Sequence, residues 1–140
     1  MSTPTLKIVE VVAAVIKSGE EILCVQRGAS KLKYISDKWE FPGGKIESGE
    51  DHSEALIREI SEELQVLIAV GSKIITVNHS YPDFHLTMHA YFCQLLDPDQ
   101  PLLLTEHKDK LWLKPVDSEF KSLDWAAADL PIVKIICGFN

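Results

Sequence analysis

Runs of aliphatic residues, separated by turn-forming residues, divide the first part of the chain into short extended elements. Residues 6–17 are rich in Val, Ile and Ala, which is typical of a buried strand. Ser18 and Gly19 favour a turn, and residues 21–27 are predicted to form a second strand that pairs with the first. The polar stretch 28–38 carries three lysines and is predicted to be a flexible loop.

Two longer apolar stretches follow in the second half of the chain. Residues 66–81 and 85–96 are predicted to be strands, and the turn residues from Tyr81 to Phe84 join them as an antiparallel pair. A proline-containing loop, residues 97–105, precedes a short predicted strand at residues 111–114. His85 and His89 share one face of their strand, but no third ligand is spaced to join them, so packing or solvent exposure is the favoured interpretation.

In the middle of the chain, the apolar residues recur with the period of an α-helix instead. Asp51 and Glu54 form an approximate capping box, so a helix is predicted to begin at Asp51. Apolar residues at helical spacing then form a stripe that docks the helix on the sheet, namely Leu56, Ile57, Ile60 and Leu64.

Two further helices are predicted near the end of the chain. Asp117 is predicted to cap a short helix that extends through Leu123. Asp129 is predicted to cap a last helix from Leu130, because Pro131 stands at a position that suits a helix start.

Composition narrows the class of protein. A chain of 140 residues with 46% hydrophobic and 25% charged residues is typical of one soluble domain, here residues 1–140. The net charge of −7 argues against a nucleic-acid polymer as partner. Three well-separated cysteines indicate reduced thiols in a cytoplasmic protein, and no apolar run is long enough to cross a membrane. A monomer or a homodimer is expected.

Carboxylates cluster on the predicted middle helix. Glu59, Glu62 and Glu63 are three and four positions apart, so they project from one side. Such acids repel each other unless a cation lies between them, and Mg²⁺ is usually held by a few carboxylates together with substrate phosphates. Mg²⁺ or Mn²⁺ is therefore the expected cofactor, and it would reverse the local charge for an anionic substrate. The alternative is an ordinary solvated helix face.

The surrounding spacing is more specific than an acidic pair. From Gly44 the chain reads glycine, five residues, Glu50, seven residues, Arg58, Glu59, Ile60, one residue, Glu62, Glu63, one residue, Gln65 and Val66. This pattern resembles the signature of the Nudix hydrolases, and only Gln65 departs from it, where the family usually has glycine. The resemblance implies an α/β fold, the Nudix fold, with a mixed β-sheet sandwiched between α-helices. A non-glycine residue at position 65 is expected to cost about 1 kcal/mol at the helix end.

The resemblance also implies a metal site. Glu59, Glu62 and Glu63 would hold the metal together with the carbonyl oxygen of Gly43, since Gly43, Gly44 and Lys45 match the segment that leads into the signature. Tight turns with positive φ are a structural alternative for at least one of these glycines.

Three more charged residues are assigned roles in this site. Glu106 resembles the loop glutamate that often completes the metal site, although an exposed loop acid is the alternative. Arg58 is predicted to orient the carboxylates. Glu50 is predicted to support the loop or the metal site without binding the metal directly. Glu59 is the first candidate for the general base and Glu106 the second.

Four residues are candidates for substrate binding. Arg27 offers donors for a phosphate or a base carbonyl, or it is a surface charge. Tyr81 and Phe84 are candidates for stacking on a base, or ordinary turn and core aromatics. Asp129 lies in a segment similar to one in which an Asn or Asp reads the base edge in MutT-like and CTP-pyrophosphohydrolase-like members, so it is either a base reader or a helix cap.

The function that the resemblance implies is MutT-like hydrolysis of a nucleoside triphosphate, either a normal one or a damaged or modified one. Water would attack the β-phosphorus and release a nucleoside monophosphate and pyrophosphate. Hydrolysis of ADP-ribose or another sugar nucleotide is the alternative activity. A binding module without turnover ranks last, because the carboxylates that catalysis needs are present.

Overall fold

The strands of the protein form one mixed sheet that carries helices on both faces. The computed structural model describes residues 6–138. The strands are β1 (Lys7–Ser18), β2 (Glu21–Arg27), β3 (Trp39–Glu40), β4 (Gly43–Lys45), β5 (Ile68–Ser80), β6 (Phe84–Leu95) and β7 (His107–Leu113). The helices are α1 (His52–Leu64), α2 (Ser118–Ser122) and α3 (Leu130–Ile136), and a short 3₁₀ helix, Ala127–Asp129, precedes α3. The predicted α/β class, with a mixed sheet between helices, is confirmed.

β1 is the central strand, and it changes neighbours along its length. It runs parallel to β6, whereas the other strand pairs in the described sheet are antiparallel. On its other side, residues 11–13 pair with β4, and only Lys17 and Ser18 pair with β2. β2 turns away to pair with β3 and β7. The two outer strand groups therefore separate beside β1, and this separation leaves room for a cleft.

α1 packs on one face of the sheet through a narrow apolar stripe. Leu56, Ile60 and Leu64 are fully buried, and they meet the inward side chains of β1 and β6. Ile57, which was predicted to belong to the same stripe, is 40% exposed, so that part of the prediction is wrong. The docked face instead includes position 63, which lies three residues after Ile60 and is occupied by a glutamate.

Both ends of α1 have defined caps. The Oδ1 of Asp51 accepts a hydrogen bond from the amide of Glu54 at 2.8 Å, and Glu54 Oε1 accepts one from the Asp51 amide at 3.1 Å. The predicted capping box is thereby confirmed. At the other end, Gln65 has φ 57° and ψ 39°, in the left-handed region that favours glycine.

The C-terminal helices cover the opposite face of the sheet with the apolar side chains of Phe120, Trp125 and Ile132. The predicted side-chain caps are not formed at either helix. Asp117 accepts a hydrogen bond from the Lys114 amide instead, and Asp129 accepts one from the Phe41 amide. Capping was the wrong role for both aspartates, because each side chain bonds to backbone outside its own helix.

Strand β7 is longer than the sequence predicted. It begins at His107 and pairs with β2 from Leu113 opposite Ile22 to His107 opposite Arg27. The predicted strand began at position 111, because the charged residues 108–110 do not show an apolar pattern. These residues lie on an edge strand of the sheet, where charged side chains can extend into solvent.

The cysteines and the helix lengths agree with two further expectations. Cys24 and Cys93 are buried free thiols, and Cys137 is half-buried and also free. Burial raises the pKa of the thiols of Cys24 and Cys93 to about 12, so they are unreactive packing groups.

Within residues 6–138, no helix has the length and apolar character that crossing a membrane requires.

Replacement of Gln65 by glycine is predicted to stabilise the protein by roughly 0.5–1 kcal/mol, because glycine adopts the left-handed region without steric cost. Urea unfolding monitored by circular dichroism measures this change in the free energy of unfolding. Gln65→Ala is the matched control, since it removes the exposed side chain but keeps the strained backbone. Equal stability of the two variants would contradict the explanation.

Candidate active site

A cleft of about 850 Å³ opens on the face of the sheet opposite the body of α1, beside the point where β1 changes neighbours. One end of the cleft is lined by carboxylates from α1 and the loop before β7, and the other by polar and aromatic side chains. The residues predicted as site residues that line it are Arg27, Gly43, Gly44, Lys45, Arg58, Glu59, Glu62, Glu63, Tyr81, Phe84, Glu106 and Asp129. The cleft therefore brings together every predicted site residue except Glu50.

Glu63 is the most unusual group in the cleft. It is only 4% exposed, and its Oε2 has no hydrogen-bond partner among the described residues. Burial raises the pKa of the carboxyl to about 9, and the nearby charges of Glu106, Glu59 and Glu40 add to the shift, while a backbone interaction with Gly43 opposes it. A buried carboxyl without a partner is unfavourable unless it is protonated or bound to a cation.

Glu59 lies one helical turn before Glu63, under the backbone of Gly44. Burial also raises the pKa of Glu59, and the charges of Glu62 and Glu106 contribute, although a hydrogen bond from Arg58 opposes them. A Cβ at position 44 would lie 2.3 Å from Glu59 Oε2. A side chain at position 44 would therefore displace the Glu59 carboxylate from its place in the cleft.

The two glycines before the helix are explained by close contacts and not by turn geometry. Neither Gly43 nor Gly44 has positive φ, so the suggested tight turn with positive φ is wrong for both. A Cβ on Gly43 would lie 1.9 Å from the carbonyl oxygen of Val12, because β4 presses directly against β1. Glycine at this position brings the backbone to the edge of the cleft, where its carbonyl was predicted to be a metal ligand.

Arg58 connects the acidic residues to each other. Its Nε and Nη2 donate to the two carboxylate oxygens of Glu50 at 2.7 and 2.9 Å, and its Nη1 donates to Glu59 at 2.9 Å and Glu62 at 3.2 Å. Its Nη2 also donates to the backbone carbonyl of Lys45 at 2.9 Å. These bonds, that to Glu50 foremost, raise the pKa of Arg58, so the guanidinium stays charged. The contacts are those of a residue that positions carboxylates.

Glu106 approaches the acids of α1 from a different part of the chain. It is exposed, and its negative charge raises the pKa values of both Glu59 and Glu63. The neighbouring Thr105 hydroxyl donates to the carbonyl oxygens of Glu62 and Glu63 at 3.2 and 3.0 Å, which fixes the loop to the end of α1. Glu106 was predicted from the sequence as a site residue. The anchoring role of Thr105 was not predicted, because it depends on tertiary contacts.

The other end of the cleft contains a second charged group, centred on Glu40. Its two carboxylate oxygens accept hydrogen bonds from Arg27 Nε at 3.1 Å and interact with His107 Nε2 at 3.0 Å. The bond from Arg27 uses only Nε, and within residues 6–138 the terminal nitrogens of this guanidinium make no hydrogen bond. Glu40 and His107 were missed, because an isolated acid and an isolated histidine carry no pattern in the sequence.

Asp129 is buried beside this group. Its Oδ2 accepts a hydrogen bond from the Phe41 amide at 2.9 Å. Burial raises the pKa of the Asp129 carboxyl well above its ordinary value, and the charge of Glu40 adds to the shift, whereas Phe41 and Arg27 oppose it. A protonated carboxyl presents one donor and one acceptor to a ligand.

Tyr81 and Phe84 form an aromatic wall of the cleft. The Tyr81 hydroxyl accepts a hydrogen bond from the Ala128 amide at 3.1 Å, and its ring stacks on Tyr34 with centroids 4.9 Å apart. Tyr34 in turn hydrogen-bonds to Asp83, so the segment 28–38 is fastened to this wall. Tyr81 is only 6% exposed, and its ring thus has a packing role whatever it binds.

The donor set at the acidic end fits a hard divalent cation. Carboxylate oxygens of Glu59, Glu62, Glu63 and Glu106 line one end of the cleft, and Glu63 has a buried oxygen without a partner. Oxygen ligands of this kind are those that Mg²⁺ and Mn²⁺ prefer. No histidine or cysteine lines the cleft among the described residues.

Comparison with known proteins identifies the family. A family model of the NUDIX domain matches residues 11–134. The CTP pyrophosphohydrolase of Escherichia coli (strain K12) is 33% identical over 129 residues, which cover 92% of this chain and 91% of that protein. The putative 8-oxo-dGTP diphosphatase 2 of Mycobacterium tuberculosis (strain ATCC 25618 / H37Rv) is 32% identical over 125 residues, which cover 85% of this chain and 81% of that protein.

A solved structure agrees with these sequence matches. The solution NMR structure of the DNA mismatch repair protein MutT (family Nudix hydrolase) from methicillin-resistant Staphylococcus aureus 252 has a TM-score of 0.72 and is 40% identical. The match covers 97% of this chain and all of that one. Fold, signature and family model agree, and the chain belongs to the NUDIX domain family.

Proposed function

We propose that this chain is a metal-dependent nucleotide pyrophosphohydrolase that converts a nucleoside triphosphate and water into a nucleoside monophosphate and pyrophosphate. The relatives described as CTP pyrophosphohydrolase and 8-oxo-dGTP diphosphatase support this activity. The observation that carries the proposal is the buried Glu63 carboxyl, which has no partner for one oxygen at the edge of an open cleft. Such a group is explained if a cation binds it during the working cycle.

The proposed ligands for Mg²⁺ or Mn²⁺ are carboxylates of Glu59, Glu62 and Glu63, with Glu106 and the Gly43 carbonyl completing the set. A divalent cation at this place would neutralise phosphate charge and lower the pKa of bound water. Glu63 would lose its proton when the cation binds, because the positive charge reverses the effect of burial. Arg58 would hold Glu59 and Glu62 in place through its hydrogen bonds, with Glu50 anchoring it from behind.

Glu59 is the proposed general base. Its carboxyl lies in the cleft beside the proposed metal, and the oxygen that does not bind the metal would accept a proton from the attacking water. The hydrogen bond from Arg58 fixes the orientation of this carboxylate. Glu106, which is exposed and comes from a separate loop, is the second candidate for this role.

The nucleoside is proposed to occupy the opposite end of the cleft. Asp129, with its raised pKa, would present a protonated carboxyl to the edge of the base. The free terminal donors of Arg27 would contact a phosphate or a base carbonyl, and the wall formed by Tyr81 and Phe84 would cover a face of the base. The substrate class is a small nucleotide, because the net charge of −7 repels nucleic-acid polymers.

We propose that the enzyme works in the cytoplasm. The free buried thiols of Cys24 and Cys93 favour a reducing cytoplasm as the compartment. A monomer or a homodimer is proposed as the working form.

The activity is tested with purified protein, Mg²⁺, and a panel of normal and oxidised nucleoside triphosphates and ADP-ribose. We expect pyrophosphate and a monophosphate from at least one triphosphate. In ¹⁸O-water the label should enter pyrophosphate, since water attacks the β-phosphorus. Cleavage of ADP-ribose into two monophosphates would favour the sugar-nucleotide alternative, and nucleotide binding without turnover would favour a binding module.

Glu62→Gln should lower kcat/KM by about 100-fold or more, because it removes a ligand charge worth roughly 3 kcal/mol in the transition state. The fold should persist, since the Glu62 side chain is 59% exposed. Glu21→Gln, which neutralises an exposed glutamate on β2 outside the cleft, is the matched control. Near-normal turnover in Glu62→Gln would count against the proposed metal site.

Glu63→Gln should stabilise the metal-free protein at pH 8 by a few kcal/mol while abolishing turnover. In wild type, folded Glu63 keeps its proton up to about pH 9 but the unfolded chain loses it near 4.5, so stability falls as pH rises between these values. Glutamine does not ionise, so the stability of the variant does not fall with pH in this way. Urea unfolding with EDTA at pH 5 and pH 8 measures the difference, and identical pH slopes for both proteins would refute the raised pKa.

Substitutions of Asp129 test the base-reading role. Asp129→Asn should keep KM within a few-fold, because an amide, like a protonated carboxyl, has a donor group beside an acceptor oxygen, whereas Asp129→Leu should raise KM by roughly 10-fold or more. Steady-state kinetics on the preferred triphosphate separates KM from kcat. If both variants raise KM equally, or neither does, Asp129 does not read the base.

A further inference from the structure

Three potential metal ligands meet on the side of the sheet away from the cleft. Glu10 on β1 and His89 on β6 are directed to the α1 face, because Val12 and Tyr91, two positions along each strand, pack in the cluster under α1. His52, the first residue of α1, lies over them. One ligand atom from each of the three residues lies within 4.8 Å of the others.

Each histidine is oriented by a hydroxyl group outside this cluster. Thr76 Oγ1 lies 2.8 Å from His89 Nδ1, and Tyr91 Oη lies 2.7 Å from His52 Nδ1. His89 Nε2 faces the Glu10 carboxylate at 3.0 Å, and within residues 6–138 the Nε2 of His52 makes no hydrogen bond. Histidines that bind metals are commonly arranged in this way, with the second ring nitrogen held by an oxygen group.

The two histidines are in direct contact. Their rings stack with centroids 4.1 Å apart and an angle of 23° between the planes. Two protonated imidazoles at this distance would repel each other, and the positive Lys73 is also close, while Glu10 and Asp51 supply negative charge. A cation at the edge of the two rings, beside the Glu10 carboxylate, would bind the lone pairs that lie in the ring planes of the imidazole nitrogens.

We propose that Glu10, His52 and His89 form a second metal site, which takes Zn²⁺ or a related transition-metal ion and is independent of the proposed hydrolase activity. Two imidazole nitrogens and one carboxylate form a ligand set suited to Zn²⁺, with water in the fourth position, whereas Mg²⁺ prefers oxygen ligands. A metal here would connect the start of α1 to β1 and β6.

The distances between the ligand atoms are close to those of a zinc site, and the stacked rings would have to turn so that their lone pairs converge on the metal. Zinc–ligand bonds of about 2.0–2.1 Å in a tetrahedron separate two ligand atoms by about 3.3 Å. His89 Nε2 and Glu10 Oε1 are already at this separation, and the remaining pairs need to close by about 1.5 Å or less. The Thr76 and Tyr91 hydroxyls can accept the Nδ1 protons in the metal-bound form, because a hydroxyl both donates and accepts.

His85 provides a matched control on the same strand. It shares the face of β6 with His89, but its Nδ1 lies 2.8 Å from Ser80 Oγ and its Nε2 lies 3.3 Å from Asn78 Oδ1. It therefore has partners of its own and does not join the cluster. His85 and His89 were considered together from the sequence and no third ligand was found, because Glu10 and His52, which lie near His89, come from β1 and α1.

The test is a Zn²⁺ titration against a chromophoric chelator in excess Mg²⁺, which occupies the acidic cleft. We expect wild type and His85→Gln to bind one equivalent, and His52→Gln and His89→Gln to bind at least about 100-fold more weakly. Thr76→Val, which keeps all three ligands but removes the orienting hydroxyl, should weaken binding by roughly 10–100-fold. Glu62→Gln should leave Zn²⁺ binding unchanged.

Two further readouts cover the case in which a histidine variant fails to fold. Co²⁺ bound to the wild-type protein should give the visible absorption of a nitrogen-ligated tetrahedral ion, and saturating Zn²⁺ should raise the Tm of wild type by roughly 5–10 °C. Absence of saturable Zn²⁺ binding in excess Mg²⁺, or binding that survives both His52→Gln and His89→Gln, would overturn the proposal.

Discussion

The constraint on which the structure depends is the burial of a carboxyl group on the packed side of α1. Glu63 occupies a position that the helical period assigns to the core, between Ile60 and the end of the helix. An apolar residue there would complete the stripe at no electrostatic cost. The glutamate is instead held with one unpartnered oxygen facing a cleft and a pKa raised to about 9. The fold thus keeps a group that is unfavourable in the free protein and favourable beside a cation.

The rest of the site is arranged around this group. Apolar packing of Leu56, Ile60 and Leu64 fixes α1 on the sheet, so the positions of its acids follow from the core. Gly44 lets the backbone of β4 approach Glu59. Arg58 joins one carbonyl oxygen and four carboxylates in one network, the carboxylates being those of Glu47, Glu50, Glu59 and Glu62. The Arg58 guanidinium therefore balances part of this negative charge, and the carboxylates that line the cleft remain open to a cation.

Local patterns in the sequence predicted the parts that depend on neighbours along the chain. The capping box, the α1 stripe apart from Ile57, the long β5–β6 pair and the acidic signature all arise from patterns along one continuous stretch of the chain. Contacts between distant segments were not predictable in this way. Glu40 with His107, the Asp129–Phe41 bond and the His52–His89 stack each join residues from separate elements, and no spacing rule connects them. Capping was one of two roles assigned to Asp129, because its tertiary partner, the Phe41 amide, is invisible in the sequence. Asp117 bonds to the nearby Lys114 amide, an alternative that the capping pattern does not distinguish.

The central claim is that the Glu63 carboxyl is held neutral until a divalent cation binds it. Its pKa can be measured directly by ¹³C NMR of the glutamate side-chain carboxyl carbons, with Glu63→Gln used to assign the resonance. In EDTA the Glu63 carboxyl should titrate near pH 9, and saturating Mg²⁺ should move this pKa far below neutrality. Titration near the ordinary value of 4.5 in EDTA, or a pKa unchanged by Mg²⁺, would contradict the account.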